Sequence, residues 1–229
     1  MSATPRQAGR SWLSCLVTGS LQTNCYLIHP ESSGPVALVD PGGSAPDIIN
    51  AVAAAGSGEL GQVLLTHGHA DHWAALPELL TEWPGARVLC SDVASAWLGD
   101  PEANLSSYIG GPLSLKPERL ETLGDRGVFA AAGRQFTAMS TPGHTPGCLS
   151  FVHVDSAGTV LICGDVLFAG SVGRTDLPGG SWPELARSLC RLATLPPEAL
   201  VFPGHGPAST VGRETSGNPY MRQAHREAL

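Results

Sequence analysis

The chain has 229 residues, a length that suits one large domain. With 42% apolar and only 14% charged residues it can bury a sizeable core, which excludes a disordered chain. The formal charge is −7, from 13 basic and 20 acidic residues, and Lys116 is the single lysine, so the basic face that a nucleic-acid binder needs is not expected.

The 28 glycines and 19 prolines call for tight turns and short elements. No apolar run reaches the roughly 18 residues of a membrane span. The run Trp12–Val17 is too brief for a signal-peptide core, so Met1 to Gly19 reads as a ragged N-terminus entering a first strand. Residues 24–28 and 36–40 read as a hairpin around Glu31-Ser32-Ser33-Gly34. Pro46 to Ala55 reads as a helix closed by Gly56, and residues 62–66 as a buried strand. A helix is expected from His72 to Trp83 despite Pro77, then a strand over 87–90 and a weak helix over 92–98. Residues 99–118 read as a long loop. Strands follow at 134–140, 148–154 and 159–163. Ser181-Trp182-Pro183-Glu184 fits a capping box before a helix to about Leu195. The last strand is 199–202, and a helix closes the chain from about Asn218. Hairpins followed by alternating strands and helices suggest layered sheets flanked by helices in one domain.

The six cysteines carry no CxxC pair and sit in apolar runs, so they read as buried thiols in a reducing, cytoplasmic compartment.

The chemistry sits at strand ends. In Thr66-His67-Gly68-His69-Ala70-Asp71-His72, four ligand-type side chains fall within six residues, just after an apolar strand. Such groups are costly to bury together without a partner, and a metal ion is that partner. His67 and His69 can project to one side of an extended segment. Asp71 and His72 point elsewhere where the chain turns into a helix, so two half-sites are offered. Thr141-Pro142-Gly143-His144 presents a second histidine in a tight turn. Cys163-Gly164-Asp165 offers a carboxylate that can bridge two cations with its two oxygens. Pro203-Gly204-His205-Gly206 presents another turn-borne histidine. Alone, each of the last three is more often a solvated or capping residue.

In this order, HxHxDH, PGHT, GD and PGHG resemble the metallo-β-lactamase superfamily. The resemblance spans about residues 20 to 210. It implies an α/β fold, a four-layer αββα sandwich with a dinuclear metal site at one edge of the two sheets. It implies His67, His69 and His144 on one metal, Asp71, His72 and His205 on the other, and Asp165 between them. Residues 168–180, with Gly173-Arg174-Thr175-Asp176, are similar to the GRxD stretch of glyoxalase II-like hydrolases, and Thr23-Asn24-Cys25-Tyr26 and Asp40-Pro41-Gly42 fit the same group. Full-length glyoxalase II appends a helical glutathione-gripping domain with basic residues. Only 24 residues follow His205, so residues 1–229 are expected to form the catalytic domain without it. Arg174 lies where the resemblance puts a basic substrate contact; an ion pair with Asp176 is its alternative.

The implied reaction is hydrolysis of small acyl thioesters, S-lactoylglutathione or similar, by a metal-bridging hydroxide, with Asp71 as the catalytic residue that orients it. Zinc is the default for the two divalent ions, and the ligands also suit iron and manganese. A persulfide dioxygenase with one iron, or a hydrolase of another ester or lactone, is the alternative. The expected partner is a small thioester, with no nucleic acid and no membrane; the oligomeric state is left open. His29, His153 and His225 need no role.

Overall fold

The computed structural model describes residues 6–227. Of the expected ragged N-terminus, residues 1–5 lie outside the described residues. The chain divides into two units. The first runs to Leu123 and includes Ala130–Arg134; the second holds Gly124–Phe129 and the chain from Gln135 onward.

The first unit is a seven-stranded sheet with its strands in chain order. They are β1 (Arg6–Arg10), β2 (Leu13–Thr18), β3 (Thr23–Ile28), β4 (Val36–Val39), β5 (Leu60–Leu64), β6 (Arg87–Cys90) and β7 (Leu120–Thr122). Neighbours are antiparallel from β1 to β4 and parallel from β4 to β7. Every residue of β3 and β4 is buried, which fits the apolar runs Cys25–Ile28 and Val36–Val39; the polar Thr23 and Asn24 of β3 are buried with them. Helices α1 (Ala45–Ala53), α2 (Leu76–Glu82), α3 (Asp92–Leu98) and the short α4 (Ser106–Ile109) complete the unit. Ile48 and Val52 of α1 and Leu76 and Leu79 of α2 are fully buried in one apolar cluster with Leu27, Leu38 and Val63 of the sheet. Each such side chain contributes about 1.5–3 kcal/mol of hydrophobic stabilisation.

The second sheet holds β8 (Val128–Ala131), β9 (Arg134–Ser140), β10 (Leu149–Asp155), β11 (Gly158–Gly164), β14 (Leu200–Pro203) and β15 (Ser209–Thr210), in the order 15-14-11-10-9-8. Between β11 and β14 lie the two-residue strands β12 (Leu167–Phe168) and β13 (Ser171–Val172) and helix α5 (Trp182–Leu192). Strands β11 and β14 run parallel; β9–β10, β10–β11 and β14–β15 are antiparallel. Helices α6 (Val211–Gly217) and α7 (Pro219–Glu227) end the described chain. Leu185, Leu189 and Leu192 of α5 cluster with Leu161, Val201 and Met221. Two large sheets with helices of their own make this the mixed α/β fold that the sequence implies. Among the described residues no helix is long and apolar enough to cross a membrane.

Several elements differ from the sequence expectation. The helix expected from His72 begins at Leu76, after a 3₁₀ turn over Ala70–His72. Pro77 sits in its first turn, where the missing N–H costs nothing, so this proline starts the helix. The expected loop at 99–118 contains α4. Strand β15 and helix α6 follow what was read as the last strand, and Thr210 caps α6 by accepting from Arg213 N. The capping role of Ser181 holds: its side chain accepts from Glu184 N.

One buried carboxylate ties the end of the chain to the β12–β13 hairpin. Glu214 on α6 is 1% exposed and accepts from Gly170 N at 2.7 Å, from Asn218 Nδ2 at 3.0 Å and from the Ser209 hydroxyl. Asn218 Nδ2 also donates to Ser171 O at 2.9 Å. Removing the acceptor strands buried donors, each worth about 1–3 kcal/mol. Glu214→Ala should therefore destabilise the protein by about 3 kcal/mol and lower Tm by about 10 °C in a thermal melt. A Tm within a degree or two of wild type would show that the network is dispensable.

Candidate metal-binding residues

In the first unit the donors gather where β4 and β5 end. Parallel pairing puts Asp40, just past β4, beside Thr66, just past β5. Asp40 is a buried carboxylate with left-handed backbone, φ +52°. Asx residues tolerate that region better than most, at some cost in strain. Its Oδ1 accepts from Thr66 N at 2.8 Å, and its Oδ2 accepts from the Thr66 hydroxyl at 2.6 Å and from His72 Nδ1 at 2.9 Å. The Thr66 hydroxyl has one proton and gives it to Asp40. It therefore accepts from His67 Nδ1, 3.1 Å away. The network thus assigns the imidazole proton of both His67 and His72 to Nδ1 and leaves Nε2 as a lone-pair donor.

His67 Nε2 lies 3.2 Å from His69 Nδ1, and His72 Nε2 lies 3.5 Å from Asp71 Oδ2. Asp71 Oδ2 also accepts from the Thr23 hydroxyl at 3.3 Å. Zinc–nitrogen bonds of about 2.0–2.1 Å place neighbouring tetrahedral ligands about 3.3 Å apart. Two such pairs are therefore spaced as ligand pairs on a cation. With Nε2 unprotonated, the His72 lone pair faces the Asp71 carboxylate at 3.5 Å, a repulsion that a bound cation or a second proton on the imidazole relieves. Trp73 Nε1 donates to Gly68 O at 2.9 Å, and Trp97 packs beside the His69 ring, which hold the turn in shape. Gly42 is required here because a Cβ would come within 1.9 Å of Asp71 O.

In the second unit the donors again sit past strand ends: Asp165 after β11, His205 after β14, and His144 between β9 and β10. The parallel pair β11–β14 and the bond from Gly204 N to Gly164 O at 2.8 Å bring Asp165 and His205 together. Asp165 Oδ2 lies 3.7 Å from His144 Nε2 and 3.5 Å from His205 Nε2. One oxygen thus faces both histidines, where the sequence reading used one oxygen for each cation. His144 Nδ1 donates to Arg174 O at 2.8 Å, which leaves its Nε2 as the lone-pair donor. Gly173 is the second required glycine, since a Cβ would stand 1.8 Å from Asp165 O.

The Arg174 side chain is held in a fork. Its Nε and Nη2 donate to the two carboxylate oxygens of Asp176, both at 2.7 Å. Those hydrogen bonds hold Asp176 down at about 2 and raise Arg174. Both side chains are about two-thirds exposed. This geometry is the ion-pair alternative of the sequence reading. The residue also acts through its carbonyl, on His144.

The remaining histidines are accounted for. His29 Nε2 meets the Ser14 hydroxyl at 2.8 Å, His153 Nδ1 donates to Gln135 O at 2.8 Å, and His225 is exposed on α7. None of the six cysteines forms a disulfide, and four are buried. Burial, with smaller contributions from Cys15 and Asp40, pushes the Cys25 thiol well above its usual range, so it is no nucleophile. Asp40 carries no ligand motif of its own in the sequence. Its signal was a carboxylate at the end of an apolar strand, the same signal that pointed to Asp165.

The strand-end donor sets are those of a candidate metal-binding protein. The profile of the metallo-β-lactamase superfamily matches residues 18–205, and the chain belongs to that superfamily. It is similar to the probable metallo-hydrolase YqgX of Bacillus subtilis, 36% identical over 89% of this chain and 94% of that protein. It is 32% identical to the hydroxyacylglutathione hydrolase GloC of Haemophilus influenzae, over 88% of this chain and 94% of that one. Among solved structures, BLEG-1, a B3 metallo-β-lactamase, superposes with a TM-score of 0.82 at 32% identity, covering 91% of this chain and 99% of that one. TTHA1623 in a di-iron-bound form gives a TM-score of 0.77 at 33% identity, covering 90% and 98%.

Asp40 is the residue whose loss should separate orientation from ligation. Asp40→Ala removes the acceptor for His72 and Thr66 while leaving all seven candidate ligands in place. Partners of this kind contribute about 10–100-fold to metal affinity. Competition against a chelator should show a loss of that size, with the helical and strand content of the variant intact by circular dichroism. Unchanged affinity in a folded variant would refute the orienting role.

Proposed function

We propose that the chain hydrolyses small acyl thioesters, as glyoxalase II does, with two divalent metal ions. In this reading His67, His69 and His144 hold one ion, Asp71, His72 and His205 hold the other, and Asp165 is shared. The observation that carries it is the imidazole-and-carboxylate donor set, with Nδ1 of three histidines committed to Thr66, Asp40 and Arg174 O. The likeness to GloC supports the thioester, and the di-iron form of TTHA1623 supports two metals. Zinc is the default identity, and iron suits the same donors. Thiols that form no disulfide fit a reducing cytoplasm.

Bound divalent ions supply Lewis acidity and lower the pKa of water at the site toward about 7. Asp71, steadied by Thr23, orients the attacking water and holds its proton. The Thr66 and Thr23 hydroxyls are committed to Asp40 and Asp71, so neither serves as a general acid for the leaving group. A thiolate needs none, because its conjugate thiol has a pKa of only about 8.5. Arg174 orients His144 through its carbonyl, and its side chain meets substrate only by exchanging Asp176 for a substrate carboxylate.

Metal analysis should approach two ions per chain, and S-lactoylglutathione or a comparable acyl thioester should release free thiol without oxygen. Asp165→Asn should lose metal and turnover together. Arg174→Ala keeps the carbonyl, so a rise in KM assigns the side chain to substrate, and an unchanged KM assigns it to Asp176. Rapid oxygen uptake with glutathione persulfide and a single bound iron would replace this reading with a dioxygenase.

A further inference from the structure

We infer that a pocket beside Asp71 in the first unit is the acyl pocket, that it takes a short, uncharged, apolar acyl group, and that Leu21 and Ile109 set the chain length. The inference rests on the thioester reading and deepens it. The pocket has a volume of about 290 Å³; Leu21, Ala70, Ala74, Ile109 and Leu113 line it together with Asp71, the hydroxyl residues Ser20, Thr23 and Ser106, and five glycines. That volume lies at the small end of ligand sites, which run about 300–1,000 Å³. No Lys, Arg or His is among its lining residues, and its only charged group is the Asp71 carboxylate. Away from the edge where Asp71 would hold its cation, an anionic acyl group finds no counter-ion on the protein, and its desolvation is costly. The carboxylates of a glutathione carrier are excluded for the same reason, so the carrier lies outside this pocket.

The apolar part of the wall is open. Leu21 is 49% exposed and Ile109 is 44% exposed, so both offer apolar surface to a group that enters the pocket. Leu21 stands in the β2–β3 turn, between Gly19 at φ +69° and Gln22 at φ +57°. Ile109 ends α4, which follows Leu105 at φ +66°.

Asn104 is the positioning residue for this wall. It is fully buried; its Nδ2 donates to Trp97 O and Leu113 O, both at 3.0 Å, and its Oδ1 accepts from Ser106 N at 2.9 Å. Its backbone carbonyl accepts from Ala70 N at 2.8 Å, one residue before Asp71. A buried, fully bonded amide in a surface loop therefore locks the Ile109 wall to the turn that carries Asp71.

Each methylene buried against such walls is worth about fourfold in binding. The test uses the metal-loaded full chain and two series of acetyl, butyryl, hexanoyl and succinyl groups. One series is the thioesters of N-acetylcysteamine. The other is ketone analogues with a methylene in place of the sulfur, whose affinity calorimetry measures without turnover. Butyryl should bind at least tenfold better than acetyl, and succinyl at least tenfold worse than butyryl. Ile109→Trp, which fills the pocket from an exposed position, should cut the butyryl-to-acetyl ratio at least tenfold, and Leu21→Ser should lower it as well. Asn104→Ala should lower the ratio too, and Asn104→Asp should not restore it, because a carboxylate cannot donate to Trp97 O and Leu113 O. Analogue affinities that ignore chain length, charge and both wall variants overturn the pocket, whether or not thioesters are cleaved. Analogues that follow the pattern in a protein that cleaves no thioester uphold the pocket and overturn the thioester reading alone.

Discussion

The structure of the first donor set depends on one buried carboxylate. Asp40 stores backbone strain at φ +52° and spends both oxygens on Thr66 and His72. Those bonds decide where the protons of two imidazoles reside. A neutral imidazole that is protonated on the wrong nitrogen offers a metal an N–H instead of a lone pair. The chemistry of His67 and His72 is therefore set by a residue that is no candidate ligand. In the second unit the Arg174 carbonyl does the same for His144, with a backbone acceptor in place of a charged one. The difference matters for desolvation, because a buried carboxylate needs several donors and a carbonyl needs one.

Both units build their donors with the same device, a parallel strand pair whose carboxyl ends carry the ligands. Strands β4 and β5 deliver Asp40 and the turn after Thr66, and β11 and β14 deliver Asp165 and His205. Parallel neighbours present equivalent ends side by side, so two loops that are distant in sequence start from adjacent points. Ligands of open α/β sheets collect at such ends for this reason. The antiparallel strands add width and one further histidine, His144, on the β9–β10 connection. Gly42 and Gly173 mark where the backbone passes so close to Asp71 and Asp165 that no side chain fits.

Much of this was legible in the sequence because the signals are local. Apolar runs ending in ligand-type residues gave β5, β11 and β14, and paired turns gave the β3–β4 hairpin. All seven candidate ligands were named from spacing and resemblance. What was not legible depends on contacts between distant residues. Asp40 looks like any residue that ends a strand until Thr66 and His72 are beside it. Helix α4 is four residues between glycine and proline breaks, too short for a periodic pattern. Pro77 was read as an interruption because its position relative to the helix start was misjudged. The Arg174 fork with its neighbour Asp176 had been weighed as an alternative, and distances were needed to see it.

The chain separates what must be rigid from what can vary. Asp40, His67, His69, His72 and Asp165 are buried, and most of the bonds that orient them run to buried partners or to backbone. A change there alters proton placement or ligand spacing, and the chemistry fails. The apolar groups near Asp71, Leu21 and Ile109, are exposed on a turn and a one-turn helix. A change there alters only which surface an organic group meets. Surface loops tolerate such changes because few backbone bonds depend on them. Asn104 joins the two regimes: its side chain shapes the variable wall while its carbonyl holds Ala70, next to Asp71. Selectivity can therefore drift in this chain by exchange of exposed side chains without disturbing the donors, provided that the buried amide between them is kept.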